Sequence, residues 1–472
     1  MSMLLVLSVM RWTTAVSFEL APIAWEVAPE VRAATKDSDP YVIIKSLRLL
    51  PRVYIASQPI LIEANDSVIA GSPSTLRASE SFDANCDKLK IIDVAKNMMS
   101  APGAFHNLTI SDLEIDGYRN PEGKLIGPSA LRQSAVGLSI SSIGGSAGAV
   151  SSGLVLERLY IHDHNFACLM VDDWSDVILR NITLAHVANG EYTGYAGQSL
   201  KHHELSCGGE RYAWYCNFAH TLYFTRTNRL LIENSNFTDA MFGTALTFTG
   251  CYNTVVRGCY FANIRQSAVY HANGGYTRDG DNMTLIGNRA ENVSSIATVG
   301  SPNFDMTDFH GTGFLFGIFL HGASHVSARN INLQLGGATP SAADTDMGPS
   351  IVLADAGSSC SLSDCNITFA SDVRPSSLLA LDGKHVGVND NAITGITVGQ
   401  TTIYGPVLDF LLDYVGNQSQ SCQTVKQVLL ANSTLSGHPH NMSSWAGASK
   451  CPLPIQLDNV QYGSMDSKWV YV

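Results

Sequence analysis

A short phrase recurs along this chain: an apolar or β-branched run, an Asn, then a second short run. It reads VILRNITL at 177–184, LLIENSNF at 230–237, TLIGNRAE at 284–291, VSARNINL at 326–333, SLSDCNITF at 361–369 and VLLANSTL at 428–435. Weaker copies are LTISDLEIDG at 108–117 and GLVLERLYIHD at 153–163, and TVVRGCYF at 254–261 has Gly258 where the others have Asn. Few folds accept such a pattern. Strand-length runs of period two, a repeat of about 25 residues and Asn at one corner describe a parallel β-helix. Helical readings fail, because Gly, Asn and Ser interrupt every 3.6-residue period. Coils would stack at about 4.8 Å, and Asn181, Asn234, Asn288, Asn330, Asn366 and Asn432 are expected to hydrogen-bond up the stack as a buried amide ladder.

Composition agrees with a solenoid and removes some functions. Only 15% of the 472 residues are charged, against roughly 25% in an average domain. A solenoid surface of Gly, Asn, Ser and Thr turns needs fewer charges. With a net charge of −12 and no basic tract, nucleic acid is excluded as a partner, since such binding rests on Lys and Arg at phosphates. No apolar run reaches the roughly 18 residues of a membrane span. Met3–Met10 has the length of a signal-peptide core but lacks a preceding basic residue, so it reads equally as a first buried strand. The chain divides into an extension with this candidate signal at 1–39, a β-helix with its cap at 40–440, and a C-terminal tail or cap at 441–472.

Secretion is expected from two features. Asn-x-Ser/Thr sequons stand at Asn65, Asn107, Asn181, Asn236, Asn282, Asn292, Asn366, Asn417, Asn432 and Asn441. Those on the ladder (Asn181, Asn366, Asn432) are expected to be buried and unmodified. There are also 10 cysteines, including close pairs Cys207/Cys216, Cys251/Cys259 and Cys360/Cys365, with Cys422 and Cys451 bracketing a C-terminal loop. Without any Cys-x-x-Cys, disulfides are the expected use.

The segment YIASQPILIEANDSVIAGSPSTLRAS at 54–79 resembles the opening coils of the pectate-lyase-like superfamily of right-handed parallel β-helices, with Ala70 where the first turn Gly usually stands. The resemblance spans about residues 40–440. It implies an all-β, single-domain right-handed β-helix with long loops over one groove. It also implies that substrates lie along the strand preceding the second strand of each coil. Counting back from the ladder Asn gives CLMVDD, TLYFTR, ALTFTG, SAVYHA and IFLHGA for that strand. Val171, Phe224, Phe248, Tyr270 and Leu320 then form a core column. By strand alternation the next residues face outward: Asp172, Thr225, Thr249, His271 and His321. His271 and His321 are expected about 5 Å apart on adjacent coils. They would transfer protons, with Asp172 or Asp173 as acid/base or cation ligand and Arg226 stabilising an anion.

Loops would supply the walls. The insert at 188–217 brings Arg211, Tyr212, Trp214 and Tyr215, suited to stacking on sugar rings. Residues 273–281 offer Tyr276 and Arg278 opposite, and a third insert, 292–312, offers Asp305, Asp308 and His310. His202, His203 and Glu204 are a weaker metal candidate. Polygalacturonase, alginate-epimerase and pectate-lyase signatures are not matched: Asp172-Asp173 ends its strand instead of preceding it, and His310-Gly311 lacks the preceding Gly. The expectation is therefore a secreted carbohydrate-active enzyme, a lyase or hydrolase, acting on a polysaccharide. A non-catalytic glycan-binding β-helix, or an isomerase or cyclase on a small molecule, stays open. No motif demands a cofactor; a divalent cation such as calcium also stays open.

Overall fold

A computed structural model describes residues 31–36, 39–44, 47–49, 51, 53–56, 60–62, 66, 68–78, 97–102, 105–117, 136–141, 151–164, 167–187, 220–240, 243–272, 280–320, 323–336, 350–354, 359–369, 377–382, 395–404, 410–415, 428–436, 441–443, 455–462 and 470–471. Each coil is built from three strands. Ala167–Asp172, Trp174–Arg180 and Thr183–Val187 make one coil, and His220–Thr225, Asn228–Glu233 and Asn236–Ala240 make the next, paired strand on strand in parallel register. Parallel strands joined by such crossings take the right-handed sense. The fold is the expected right-handed parallel β-helix. Antiparallel pairs lie at both ends of the described chain, Val31–Lys36 on Asp39–Ile44 and Gln461–Tyr462 on Val470–Tyr471, where they close parallel edges that would otherwise invite pairing.

The described coils group into two compact units, one running to Thr247 and the other from Phe248 onward. In the first unit Ile69, Ile110, Leu156, Leu179 and Ile232 stand in one register column and are fully buried. In the second, Val256, Leu285, Met306, Ala328, Leu362, Val398 and Leu430 do the same. Each such side chain contributes about 1.5–3 kcal/mol of burial, less for Ala.

Corners explain the recurring Asn. Between second and third strands the chain turns through one residue of positive φ: Asp112, Arg158, Asn181 and Asn234 in the first unit, and Gly258, Gly287, Asp308, Asn330, Asp364, Gln400, Asn432 and Asn459 in the second. Gly, Asn and Asp tolerate that conformation best. The buried amide ladder is therefore not what the structure contains. Asn181, Asn234, Asn330 and Asn432 are exposed corner residues, Asn366 is exposed two positions past its corner, and only Asn288 is buried. Asn288 accepts from the Cys259 amide at 2.9 Å and donates to the Val256 carbonyl at 3.0 Å. The expectation that Asn181, Asn366 and Asn432 are buried is likewise corrected. Backbone geometry selected these residues, and where corners stack the amides bond in an exposed position, Asn330 donating to Asp308 at 2.5 Å and Asn459 to Asn432 at 2.9 Å.

At five of these corners the next residue is small and points inward, while at the others it is a buried apolar side chain (Leu113, Leu159, Ile182, Phe309, Ile331, Val460) or Asn288. Ser235, Thr401 and Ser433 each donate to the carbonyl two residues back, at 2.8, 2.9 and 2.7 Å. Cys259 and Cys365 make the same contact through sulfur, at 3.4 and 3.2 Å. Among the described residues Cys168, Cys251, Cys259, Cys360 and Cys365 are buried free thiols, so the disulfides expected of the cysteines are not found among these five. These positions want a compact donor, and a thiol meets that need. Cys207, Cys216, Cys422 and Cys451 lie outside the described residues.

Candidate functional site

The expected groove strand holds its register in the first unit. Val171 pairs with Phe224, both buried, and Asp172 pairs with Thr225. Arg226 Nη2 reaches both Asp172 oxygens at 2.7 and 2.6 Å, and Thr225 Oγ1 donates to the same carboxylate. Burial, partly offset by the Thr225 hydrogen bond and the Arg226 charge, raises the Asp172 pKa. Asp173 and Arg226 occupy the corner beyond, at φ 61° and 48°. Calcium prefers six to eight oxygens, and a carboxylate already spanned by a guanidinium is a poor start for such a site.

The second unit departs from expectation. His271 pairs with Val299, which pairs with Leu320, and all three are fully buried. It is Tyr270, paired with Thr298, that faces outward. The His271 ring lies 6.4 Å from Phe248 and 6.5 Å from Phe304, and burial lowers its pKa to about 4. Counting set this strand one residue out of phase, placing Tyr270 in the core column instead of Val269 and His271, and it also missed a coil. The stretch read as an insert, 292–312, contains strands Arg289–Gly300 and Phe304–Thr307, so the strand beside His271 is that of Val299. The outward column of adjacent histidines is thereby corrected for His271. Thr249 is also buried. His321, Arg211, Tyr212, Trp214, Tyr215, Tyr276 and Arg278, with His202, His203 and Glu204, lie outside the described residues.

Sequence reasoning passed over a denser cluster on the third strand of the first unit. Leu113 and Ile115, and in the next coil Leu159 and Ile161, point inward. Alternation sends Glu114, Asp116, Tyr160 and His162 outward. Asp163, His186 and Asp239 follow at positive-φ corners, φ 62°, 56° and 58°, each stacked on the last. The tyrosine ring stacks on His162 at 4.1 Å, and the two imidazoles meet edge to face at 6.5 Å. His162 Nδ1 lies 2.6 Å from Asp163 Oδ2 and its Nε2 3.1 Å from Glu114 Oε1. His186 Nδ1 is 3.7 Å from Asp163 Oδ1 and its Nε2 3.5 Å from Asp239 Oδ2. Arg77 Nε holds Asp116 Oδ2 at 2.6 Å, and Thr75 hydrogen-bonds Glu114.

Electrostatics follow from this packing. Burial acts to lower the His162 pKa, but hydrogen bonds to Asp163 and Glu114 outweigh it and the net shift is upward. Tyr160 is raised by burial and by the charges of Asp163 and Glu114. At Gly117, opposite Asp163, an added Cβ would sit 2.1 Å from the Asp163 carbonyl oxygen, so only Gly allows this close approach. Beside the cluster runs a groove of about 550 Å³ walled by Asp112, Glu114, Arg158, Tyr160 and Asn181. A signal was present: Asp163, His186 and Asp239 stand at the same distance past the corner residues Arg158, Asn181 and Asn234. It was hidden because the coils that bear Glu114, Asp116, His162 and Asp163 were the weaker copies of the repeat, at 108–117 and 153–163.

No protein-family description matches the chain, and no curated protein sequence matches it. Solved structures of similar fold include the A-module of the mannuronan C-5 epimerase AlgE6 of Azotobacter vinelandii, with 11% identity, 89% of this chain and 91% of that one covered, and a TM-score of 0.49. Another is the DFA-IIIase of Arthrobacter chlorophenolicus A6 without its lid, at 10% identity, 84% and 87% coverage and a TM-score of 0.42. A third is the tailspike protein of E. coli bacteriophage HK620 in complex with a pentasaccharide, at 10% identity, 86% and 73% coverage and a TM-score of 0.45.

Proposed function

We propose that the protein is a secreted carbohydrate-active enzyme that cleaves a glycan lying in the first-unit groove between Glu114, Arg158 and Tyr160. The observation that carries this reading is the meeting of an aromatic ring with proton-transfer groups on one groove wall. Tyr160 is 36% exposed, enough to take an apolar sugar face, and Glu114 both lines the groove and contacts His162. Carboxylates and imidazoles within hydrogen-bond reach of one another are the usual carriers of general acid–base chemistry. Arg158, held by Asp112 at 2.5 and 2.9 Å, is positioned to bind a sugar hydroxyl or carboxylate. The sequons Asn107, Asn181, Asn236, Asn282, Asn292, Asn366 and Asn432 are exposed, which supports passage through a secretory route.

A panel of neutral and uronate polysaccharides, read by unsaturated-uronate absorbance and by reducing ends, tests the reading and separates lyase from hydrolase. Glu114→Gln is expected to slow turnover about 10²-fold or more, and Tyr160→Ala to raise KM. Turnover that both variants leave intact places the chemistry elsewhere. Retained binding without any turnover makes the protein a glycan-binding module.

A further inference from the structure

The geometry points to a divalent transition-metal site in the first unit, with His162 Nδ1, His186 Nδ1 and the Asp163 carboxylate as its protein ligands. This goes beyond the glycan reading and does not depend on it. The ligand atoms of the three residues all lie within 4.8 Å of one another. In a tetrahedral site with bonds of about 2.0–2.1 Å, ligand atoms stand about 3.3 Å apart. Here Asp163 oxygens are 2.6 Å from one Nδ1 and 3.7 Å from the other, a spread that small side-chain rotations bring to that spacing.

The outer contacts argue for a metal more strongly than the distances do. Each imidazole has its remaining nitrogen, Nε2, beside a carboxylate: Glu114 for His162 and Asp239 for His186. Carboxylates placed there take the ring N–H, fix the tautomer and leave the other nitrogen as a ligand, an arrangement characteristic of metal-bound histidine. Both Nδ1 atoms then face Asp163, where the proton that now joins His162 Nδ1 to the carboxylate occupies the place a metal ion would take.

Rigidity and access fit the same purpose. Asp163 and His186 sit on stacked strand corners, and Gly117 allows the adjoining coil to press against Asp163. The His162 and Asp163 side chains are 10% and 11% exposed, while His186 is 34% exposed, which leaves an open side for water or substrate. Two imidazoles with one carboxylate suit zinc or the iron-group ions, and are wrong for calcium or magnesium, which take oxygen sets.

Zinc alone is the probe for calorimetry on the full chain, with cobalt(II) as a spectroscopic substitute. One equivalent of zinc is expected, and cobalt should show the visible bands of a four- or five-coordinate nitrogen–oxygen site. His186→Ala and Asp163→Asn should weaken zinc binding at least 100-fold with the far-ultraviolet circular dichroism unchanged. Glu114→Gln and Asp239→Asn should weaken it by about 10- to 100-fold. Should the ligand variants fail to fold, the wild-type cobalt spectrum decides the matter by itself. Absence of zinc binding, an octahedral all-oxygen spectrum, or full stoichiometry surviving in the His162→Ala/His186→Ala double variant overturns the site. Because each readout is independent of glycan turnover, either proposal can fail while the other stands.

Discussion

The end of the third strand is built the same way in both units and furnished differently. In the second unit the positive-φ corner holds Asn263 and Asn292, and the Asn292 amide donates to Asn263 at 2.7 Å. In the first unit the corresponding corner holds Asp163, His186 and Asp239. An Asn stack satisfies itself, because every amide both donates and accepts. The Asp/His/Asp stack lacks that symmetry and draws in Glu114 and His162 as partners. One backbone requirement thus admits a neutral structural solution and a titratable one, and only the second offers chemistry.

Exchanging the two solutions is the sharpest test of the contrast. His186→Asn gives the first unit the second unit's corner. It is expected to keep the fold and remove zinc binding; a variant that unfolds instead would show the charged corner to be structural. Gly117→Ala has no counterpart in the second unit's corner and should cost ~3 kcal/mol in urea unfolding, as overpacking against a fixed carbonyl does.

Buried histidines allow a comparison by pH, one in each unit. In the fold His220 protonates only near pH 3 and His271 near pH 4, because both are buried. Unfolded, each protonates near 6.5. The unfolded chain binds the extra protons between these values, so stability is complete above about pH 6.5 and falls as the pH drops toward 4. For His271 the loss is roughly 3 kcal/mol, and His271→Gln should flatten urea-unfolding curves measured from pH 7 to 4. A wild-type stability independent of pH over that range would contradict the inward placement.

Smaller effects mark the neutral corner. Asn292→Ala removes one exposed ladder hydrogen bond and puts Ala at positive φ, for a loss of about 1 kcal/mol by thermal unfolding. Arg229→Ala breaks the exposed pair with Asp176 and should change stability by less than about 0.5 kcal/mol.

Much of the fold was legible in sequence, since period-two alternation and a regular corner are backbone demands that few residues meet. Val171 over Phe224 and Asp172 over Thr225 follow from counting alone. The Asn pattern misled on register, because Asn181 sits at a corner, Asn288 one step inside it and Asn366 two steps past it. His271 was placed outward because Tyr270 was counted into the core column, yet the imidazole between two Phe rings packs inward as an aromatic. The coil through Val299 escaped notice because Ser295 and Ala297 fill its inward positions with small residues that do not look like a strand. The cluster around His162 was split among coils far apart in sequence, and only stacking brings it together.

The small donors behind the corners carry a consequence for the life of the chain. Serine, threonine and cysteine fill one role there, each clasping the carbonyl two residues back, so the sulfur serves as a stand-in for a hydroxyl. The described coils therefore need no oxidant to close and offer a reductant nothing to open.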